Sequence, residues 1–405
     1  MINERFYKYS LMHGREQCFA KHRGKTITES DEAIIRQFVD ELMTTKNVGE
    51  MRADKIVISL VQWRRFITRE YNGIGYTDIT AGIGRLKHGK NERGRPYKAN
   101  TYRDFIAVLK QFLRWMMENG QTSIDEKSLK KIVIPPKDYE TTAPQDLPTA
   151  EEIKTIILSC TTIQQKAFIA TLYESAVRIG ELGRLAWQDV VFDEYGVKLY
   201  IDDKKRKQKR YSRLTMSTEF LAQWKNTVRN SSPESFVFSD RSGQPLTYAA
   251  GVQRFNRIIK ASGITKHITP HDFRRARATH MIQQNYQESV IKKSIWGNLD
   301  SEQFKVYVKL QESDIDNEFL RKAGISTTKK ERINPIGPEP CPVCHFVNSG
   351  MFDYCGKCGN PLSGEAVDKL KQATQQAELL PEYQIILNKF RAELQDLQRQ
   401  KVKDI

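Results

Sequence analysis

Four short stretches in the second half of the chain hold residue types that can act together on a phosphate. In YESAVRIGELGRL, Arg178 and Glu181 stand three apart, so a helix puts them on one face. There the carboxylate preorganises the guanidinium for two phosphate oxygens, although an ordinary surface ion pair has the same spacing. DKKRKQKRYSR packs seven Lys+Arg into eleven residues and offers Lys204, Lys205 and Lys207. A lysine whose pKa is lowered by neighbouring cations can protonate a leaving oxygen; without that, the segment is a phosphate-contacting or merely solvated patch. ITPHDFRRARATHM sets His271 and Arg274 three apart, just after Pro270 at an expected helix start, where an anion is favoured. SIWGNLDSEQFKVYVKL contributes Tyr307, thirty-three residues beyond Arg274. A phenol with a pKa of roughly 10 needs nearby positive charge or a base to act as a nucleophile.

A fifth stretch points to metal. Cys341 and Cys344 form CPVC and, after ten residues, Cys355 and Cys358 form CGKC. Two such knuckles supply four soft thiolates for one tetrahedral zinc, and Gly356 and Gly359 allow tight turns around the second. A site closed by four cysteines has no open position, so its zinc is structural. An iron–sulfur cluster and redox-active cysteines are the competing uses, but nothing suggests a thioredoxin-like unit. The segment looks like a zinc ribbon; His345 adjoins it outside the paired pattern, and Cys18 and Cys160 read as small buried apolar residues.

The elements that must position these residues follow from periodicity. Between about 30 and 120, three apolar stripes recur with helical spacing: Ile34, Ile35, Phe38, Val39 and Leu42; Ile56, Val57, Leu60, Val61 and Phe66; Phe105, Val108, Leu109, Phe112 and Trp115. They predict a small helical bundle. The basic loop RLKHGKNERGRPYK lies between the second and third stripes, with Lys87, Lys90, Arg93 and Arg95 as candidate phosphate contacts and a solvated loop as the plain alternative. Residues 121–148 lose periodicity and hold Pro135, Pro136, Pro144 and Pro148, which reads as a linker. Thr149 with Glu152 is a capping box opening a new helical domain. Within it, Val197, Leu199 and Ile201 alternate as one strand, and Phe236–Phe238 adds a short extended piece. Beyond Pro361, Tyr383, Ile386, Phe390, Leu394 and Leu397 return to helical spacing.

At 405 residues and 39% apolar, the chain can bury two or three cores, which excludes global disorder. The net charge is +16, and residues 331–405 hold nine Lys+Arg against ten Asp+Glu, so the first 330 residues carry the whole excess. That excess fits a polyanion, with nucleic acid ahead of an anionic membrane surface. No signal peptide and no run of about 18 apolar residues occurs, which gives the expectation of a cytoplasmic protein.

In their order, the motifs AVRIGEL, PHDFRRARATH and GN…VYV resemble the tyrosine recombinase (phage integrase) family, well over 149–315 and by architecture alone before that. The resemblance implies that Arg178 and Arg274 hold the scissile phosphate, with Glu181 as acidic partner of the first. It implies His271 as the family histidine and Tyr307 as nucleophile. Counting back from Arg210–Leu214 puts the catalytic lysine at Lys205, with Lys204 and Lys207 close competitors. Asn298 stands where the family usually has His or Trp, and Arg275 where histidine is frequent. An amide can donate a hydrogen bond to a phosphate oxygen but cannot shuttle a proton.

The fold class expected is mainly α with a small β hairpin or sheet in the catalytic domain. The expected domains are a DNA-clamping core-binding domain over 1–125, a linker over 126–148, the catalytic domain over 149–325, a second linker over 326–340, a zinc ribbon over 341–362 and amphipathic helices over 363–405. Function follows as site-specific DNA cleavage and rejoining through a 3′-phosphotyrosyl link, integrating or excising a mobile element with no cofactor for catalysis. Partners are double-stranded DNA and copies of the same chain, monomeric when free and a tetramer during synapsis, with no membrane. Competing readings are type IB topoisomerase-like relaxation and a catalytically inactive zinc-ribbon regulator.

Overall fold

A computed structural model describes residues 14–139, 143–203, 208–240, 242–301, 304, 312–323, 336–378 and 380–389. It divides into two compact units, Met1–Thr141 and Thr142–Ile405. The architecture is mainly helical with small antiparallel sheets, as expected from the sequence.

The first unit contains α1 (Gly14–His22), α2 (Glu29–Thr45), α3 (Glu50–Trp63), α4 (Tyr76–His88), α5 (Ala99–Glu118) and α6 (Glu126–Lys131). The three apolar stripes fall on α2, α3 and α5 and meet in one core, except that Phe66 lies past the end of α3. Helix α4, with glycines at 82 and 84, escaped the periodicity reading. Helix α6 differs from the expected linker: Asp125 caps it, and Leu129 is buried with Ile124 and Ile132 in the same core. Three apolar residues there are enough to anchor a single turn that shows no repeat.

Asp31 ties this unit together. Fully buried, it accepts from Thr28 N at 3.0 Å, from Arg64 Nε at 2.7 Å and from Tyr71 N at 2.9 Å, so one carboxylate caps α2 and neutralises a buried guanidinium. Removing one partner of a buried pair leaves the other charge without compensation. Asp31→Ala is therefore expected to cost about 3–5 kcal/mol, read from the urea midpoint of the full chain. A loss below about 1 kcal/mol would mean that the pair contributes little net stability.

In the second unit, α7 (Ala150–Leu158) starts at the Thr149–Glu152 capping box, with Thr149 N donating to Glu152 at 2.8 Å. Then come α8 (Ile163–Glu174), α9 (Ile179–Leu182), a sheet of β1 (Val190–Asp193), β2 (Gly196–Asp203) and β3 (Gln208–Leu214), α10 (Thr218–Thr227), α11 (Tyr248–Ala261), α12 (Pro270–Gln283), α13 (Glu288–Trp296) and α14 (Glu312–Lys322). Val197, Leu199 and Ile201 form the buried row of β2, as expected. The sequence reading missed β1 and β3. On β3 the residues opposite that row are Leu214, Ser212 and Arg210, so two inward positions are polar and no apolar alternation is visible. The extended piece at 236–238 lies beside Ala186, with Val237 N donating to Leu185 O at 2.8 Å.

The segment expected as a second linker is partly structured: Ile336 is buried in the core of this unit, and β4 (Pro338–Pro340) pairs with β5 (Val347–Ser349). Met351 and Phe352 pack on the same core, and Phe352 meets Phe220 of α10 with ring centroids 5.5 Å apart. The cysteine-bearing segment is thus fastened to the core of the second unit. Helix α15 (Gly364–Glu378) follows, and residues 381–389 are helical again, including Tyr383 and Ile386 of the expected stripe; Phe390, Leu394 and Leu397 lie outside the described residues. Among the described residues, no helix is long and apolar enough to cross a membrane.

Candidate active site

After α8 the chain turns through Ala176, whose φ of 49° lies in the left-handed region that costs a side-chain-bearing residue of order 1–3 kcal/mol. The turn brings Arg178 to the N-cap of α9 in extended conformation. Arg178 thus precedes the helix, and Glu181 is its third residue. The Glu181 carboxylate accepts from Arg178 N at 2.8 Å and from Arg178 Nη1 at 2.7 Å, capping the helix and holding the guanidinium at once. The Arg178 side chain is 43% exposed, whereas that of Glu181 is 7% exposed. The carboxylate is fixed and the guanidinium faces outward.

Helix α12 opens with Pro270 at its first position and with Thr269 N donating to Asp272 Oδ2 at 2.9 Å. His271 lies exposed in the first turn, and Arg274 one turn later is buried. Arg274 Nη1 donates to Ala176 O and Nη2 to Ile295 O at 2.9 Å, so this arginine joins the strained turn to the end of α13. Beneath it, Ala176, Ala278, Met281, Ile291, Ile295 and Trp296 form a small separate core. The Trp296 ring stands 5.6 Å from the Arg274 guanidinium carbon.

Electrostatics draws these groups into one cluster. Burial pushes the Glu181 carboxyl up, but the charges of Arg210, then Arg274 and Arg178, outweigh it and hold it at about 2. Enclosure by protein, then the charges of Arg274, Arg275 and Arg178, lowers His271 below its ordinary value. That direction favours the neutral imidazole, which offers one N–H. Glu181 and His271 each feel the charges of both Arg178 and Arg274.

Asn298 follows Gly297, whose φ of 80° makes it the left-handed cap of α13. The Asn298 side chain is half-buried, and its Oδ1 is buried without a hydrogen-bond partner among the described residues. Arg275, a candidate DNA contact, is mostly buried and donates to Asp272 Oδ1 at 3.2 Å, which draws it toward its own helix. Lys204, Lys205, Lys207 and Tyr307 lie outside the described residues; 204–207 connect the paired strands β2 and β3.

In the first unit, Lys87, Lys90, Arg93 and Arg95 are all exposed. The last three sit on a compact turn in which Lys90 bridges Pro96 and the Asn91 side chain accepts from Arg93 N and Arg95 N. This ordering presents the two arginines at fixed positions.

One residue of the cluster went unread in the sequence. Arg210, inside the basic segment, points inward and donates to Glu181 Oε2 and to Ser294 O, each at 2.8 Å. The available signal was parity: Arg210 is four residues before the buried Leu214 and so shares its face of the strand.

The four cysteines of the ribbon lie with all sulfurs within 4.8 Å of one another, and Cys341–Cys358 and Cys344–Cys355 are 3.6 Å apart. Four thiolates at about 2.3 Å from one tetrahedral zinc stand roughly 3.8 Å apart, so the set fits a single ion. The knuckles repeat one another: His345 N donates to Cys341 O and Gly359 N to Cys355 O, and the backbone is left-handed at both, with φ 58° and 72°. Gly356, expected to ease the second turn, has no such φ and would meet only ordinary contacts with a side chain.

Residues 147–314 match the phage integrase family model. The tyrosine recombinase XerC of Neisseria meningitidis serogroup C is 25% identical over 244 residues, 59% of this chain and 75% of that protein. Transposase A from transposon Tn554 of Staphylococcus aureus is 26% identical over 183 residues, 42% of this chain and half of the transposase. Among solved structures, a lambda integrase tetramer bound to a Holliday junction matches with a TM-score of 0.53 at 15% identity, over 74% of this chain and 86% of that one. The stretch from 147 to 314 is thus a domain of the phage integrase family.

Proposed function

We propose that the protein is a site-specific DNA recombinase that integrates or excises a mobile element. The observation that carries this reading is the pair of arginines, Arg178 held by Glu181 at the α9 cap and Arg274 bound to Ala176 O two residues before Arg178, inside the domain that matches the integrase family. In the proposed mechanism, Tyr307 attacks a phosphodiester in line, its oxygen replacing the 5′ oxygen on phosphorus to give a 3′-phosphotyrosyl link. The phenol proton passes to solvent, and Lys205 protonates the departing 5′ oxygen, which leaves as a hydroxyl; Lys204 and Lys207 are the alternatives. Arg178, Arg274 and His271 stabilise charge building on the non-bridging oxygens, with Asn298 as an added amide donor. The phosphotyrosyl bond conserves the energy of the broken phosphodiester, so a 5′ hydroxyl of a second strand can reverse the attack without ATP.

The basic first unit is proposed to clamp the duplex through Lys87, Lys90, Arg93 and Arg95, with Lys204, Lys207 and Arg275 as further backbone contacts. A tetramer is proposed during synapsis, supported by the lambda integrase tetramer on a Holliday junction. Cys341, Cys344, Cys355 and Cys358 are proposed to hold one structural zinc. Such a protein acts on chromosomal DNA in the cytoplasm, at the nucleoid.

The test is incubation with duplex DNA carrying a candidate site nicked next to the cleavage position, so that the released strand diffuses away. A protein–DNA species that survives denaturant is the expected result, and binding should weaken about 10³-fold or more between 50 and 200 mM salt if six or more phosphates are neutralised. Absence of the species at every candidate site would overturn the reading in favour of an inactive DNA-binding regulator. A species formed without site preference, with relaxation of supercoiled plasmid, would point to topoisomerase-like chemistry.

A further inference from the structure

We infer that Arg210 is a positioning residue for strand cleavage, holding Glu181 in place while Arg178 shifts to engage the phosphate. This rests on the recombinase reading and assigns a role to a residue outside the set aligned with the family. Glu181 divides its two oxygens. Oε1 takes the Arg178 guanidinium at 2.7 Å, and Oε2 takes Arg178 N and Arg210 Nη2, both at 2.8 Å. The two guanidinium groups differ in one decisive respect: the Arg178 side chain is 43% exposed and that of Arg210 only 2%. A substrate phosphate can draw on Arg178 but cannot reach Arg210.

When Arg178 turns toward a phosphate, the buried carboxylate loses one of its two described ion pairs, and without the other it would resist the move. Arg210 supplies that second cation permanently, so Glu181 stays ionised and fixed while Arg178 shifts between carboxylate and substrate. The same guanidinium donates to Ser294 O at 2.8 Å, and Gly297 lies so close that a Cβ there would stand 3.5 Å from Arg210 Cβ. Arg210 therefore links three pieces of the site: the α9 cap that carries Arg178, strand β3 on which Arg210 itself lies, and the turn that carries Asn298. Lysine in its place would keep the charge but could not span Glu181 and Ser294 O with two rigidly spaced donors.

The experiment uses the full-length protein as wild type, Arg210→Met, Arg210→Lys, Arg178→Ala and the Arg178→Ala/Arg210→Met double variant. Adduct formation on nicked DNA at saturating concentration, DNA affinity and thermal melting are measured together. Arg178 modification by phenylglyoxal, read by peptide mass spectrometry, is measured beside them. Arg210→Met is expected to slow adduct formation about thirtyfold or more with affinity within about threefold, and to lower Arg178 modification severalfold, because Glu181 then holds Arg178 more tightly. Arg210→Lys should recover part of the rate. In the Arg178→Ala background, Arg210→Met should change the residual rate by less than about threefold, because the two act through one path.

Equal fold-losses in both backgrounds would overturn the proposal, as would unchanged Arg178 reactivity in a folded variant. If Arg210→Met does not fold, Arg210→Lys decides the same two readouts. If wild type forms no adduct, the recombinase reading falls, while the modification arm still decides whether Arg210 positions Arg178.

Discussion

Tyr307→Phe is expected to abolish the covalent protein–DNA species, to below about one part in 10⁴ of wild type, with DNA affinity and melting temperature unchanged. The substitution removes one oxygen and keeps the ring, so whatever packing the phenol makes is nearly preserved. The chemistry is not: a phosphotyrosyl bond cannot form without that oxygen, and no rearrangement of the cations replaces it. Losses at the cationic residues have a different shape. Arg178→Lys leaves the nucleophile in place and keeps a positive charge, so cleavage should fall by roughly a hundred- to a thousandfold and stay measurable after long incubation. Arg274→Lys should lose a comparable factor and lower the melting temperature as well, because its guanidinium also binds Ala176 O and Ile295 O in a buried setting. Thus total loss without destabilisation marks the nucleophile, partial loss without destabilisation marks Arg178, and partial loss with destabilisation marks Arg274. An adduct surviving in Tyr307→Phe would move the nucleophile to another of the sixteen tyrosines, identifiable from the peptide left on the DNA.

The contrast between Arg178 and Arg210 shows where sequence reading succeeds and where it stops. Arg178 was found because Glu181 stands three residues away, and the cap of α9 turns that spacing into a real contact. Arg210 was used only as a landmark for counting, because its partners are 29 and 84 residues away and nothing local announces them. Strand β3 was lost for the same reason, its inward positions being filled by Arg210 and Ser212 in a segment dominated by lysine. The stripes on α2, α3 and α5 were legible because each buries a full helical face. Helix α6 was not, since Leu129 alone faces the core from its single turn. Ala176 is a sharper limit: its left-handed backbone aims the site, yet no side chain there favours that conformation, so only the surrounding contacts with Arg274 and α8 can impose it. The spacing of the cysteines was read at once, but not the attachment of the ribbon, because Ile336, Met351 and Phe352 follow no period.

That attachment makes removal of the proposed zinc the largest expected structural effect. The ribbon holds two three-residue strands and only a few apolar side chains, too little to fold on its own burial. Apparent binding energies of about 10–16 kcal/mol for structural zinc are what such segments depend on. Cys355 is the most telling ligand to change. It is buried, and although burial raises its thiol, the N–H groups of Cys358 and Lys357 and the Asn348 amide bring it down to about 6, a site prepared for a thiolate. Cys355→Ser, or chelation of the wild type, should release about one equivalent of zinc, expose the other ribbon cysteines to thiol reagents and open residues 336–362 to protease. Cys18 and Cys160 contribute little background, because burial pushes both thiols up to about 11. With Phe352 withdrawn, Phe220 and the end of the second core become exposed, lowering the stability of that unit by about 1–3 kcal/mol. Arg178, Glu181, His271 and Arg274 make none of their described contacts with the ribbon, so adduct formation at low temperature should persist within about threefold. Purified protein with well below one equivalent of metal, and thiol reactivity indifferent to chelator, would show that the fold around the cysteines does not depend on zinc.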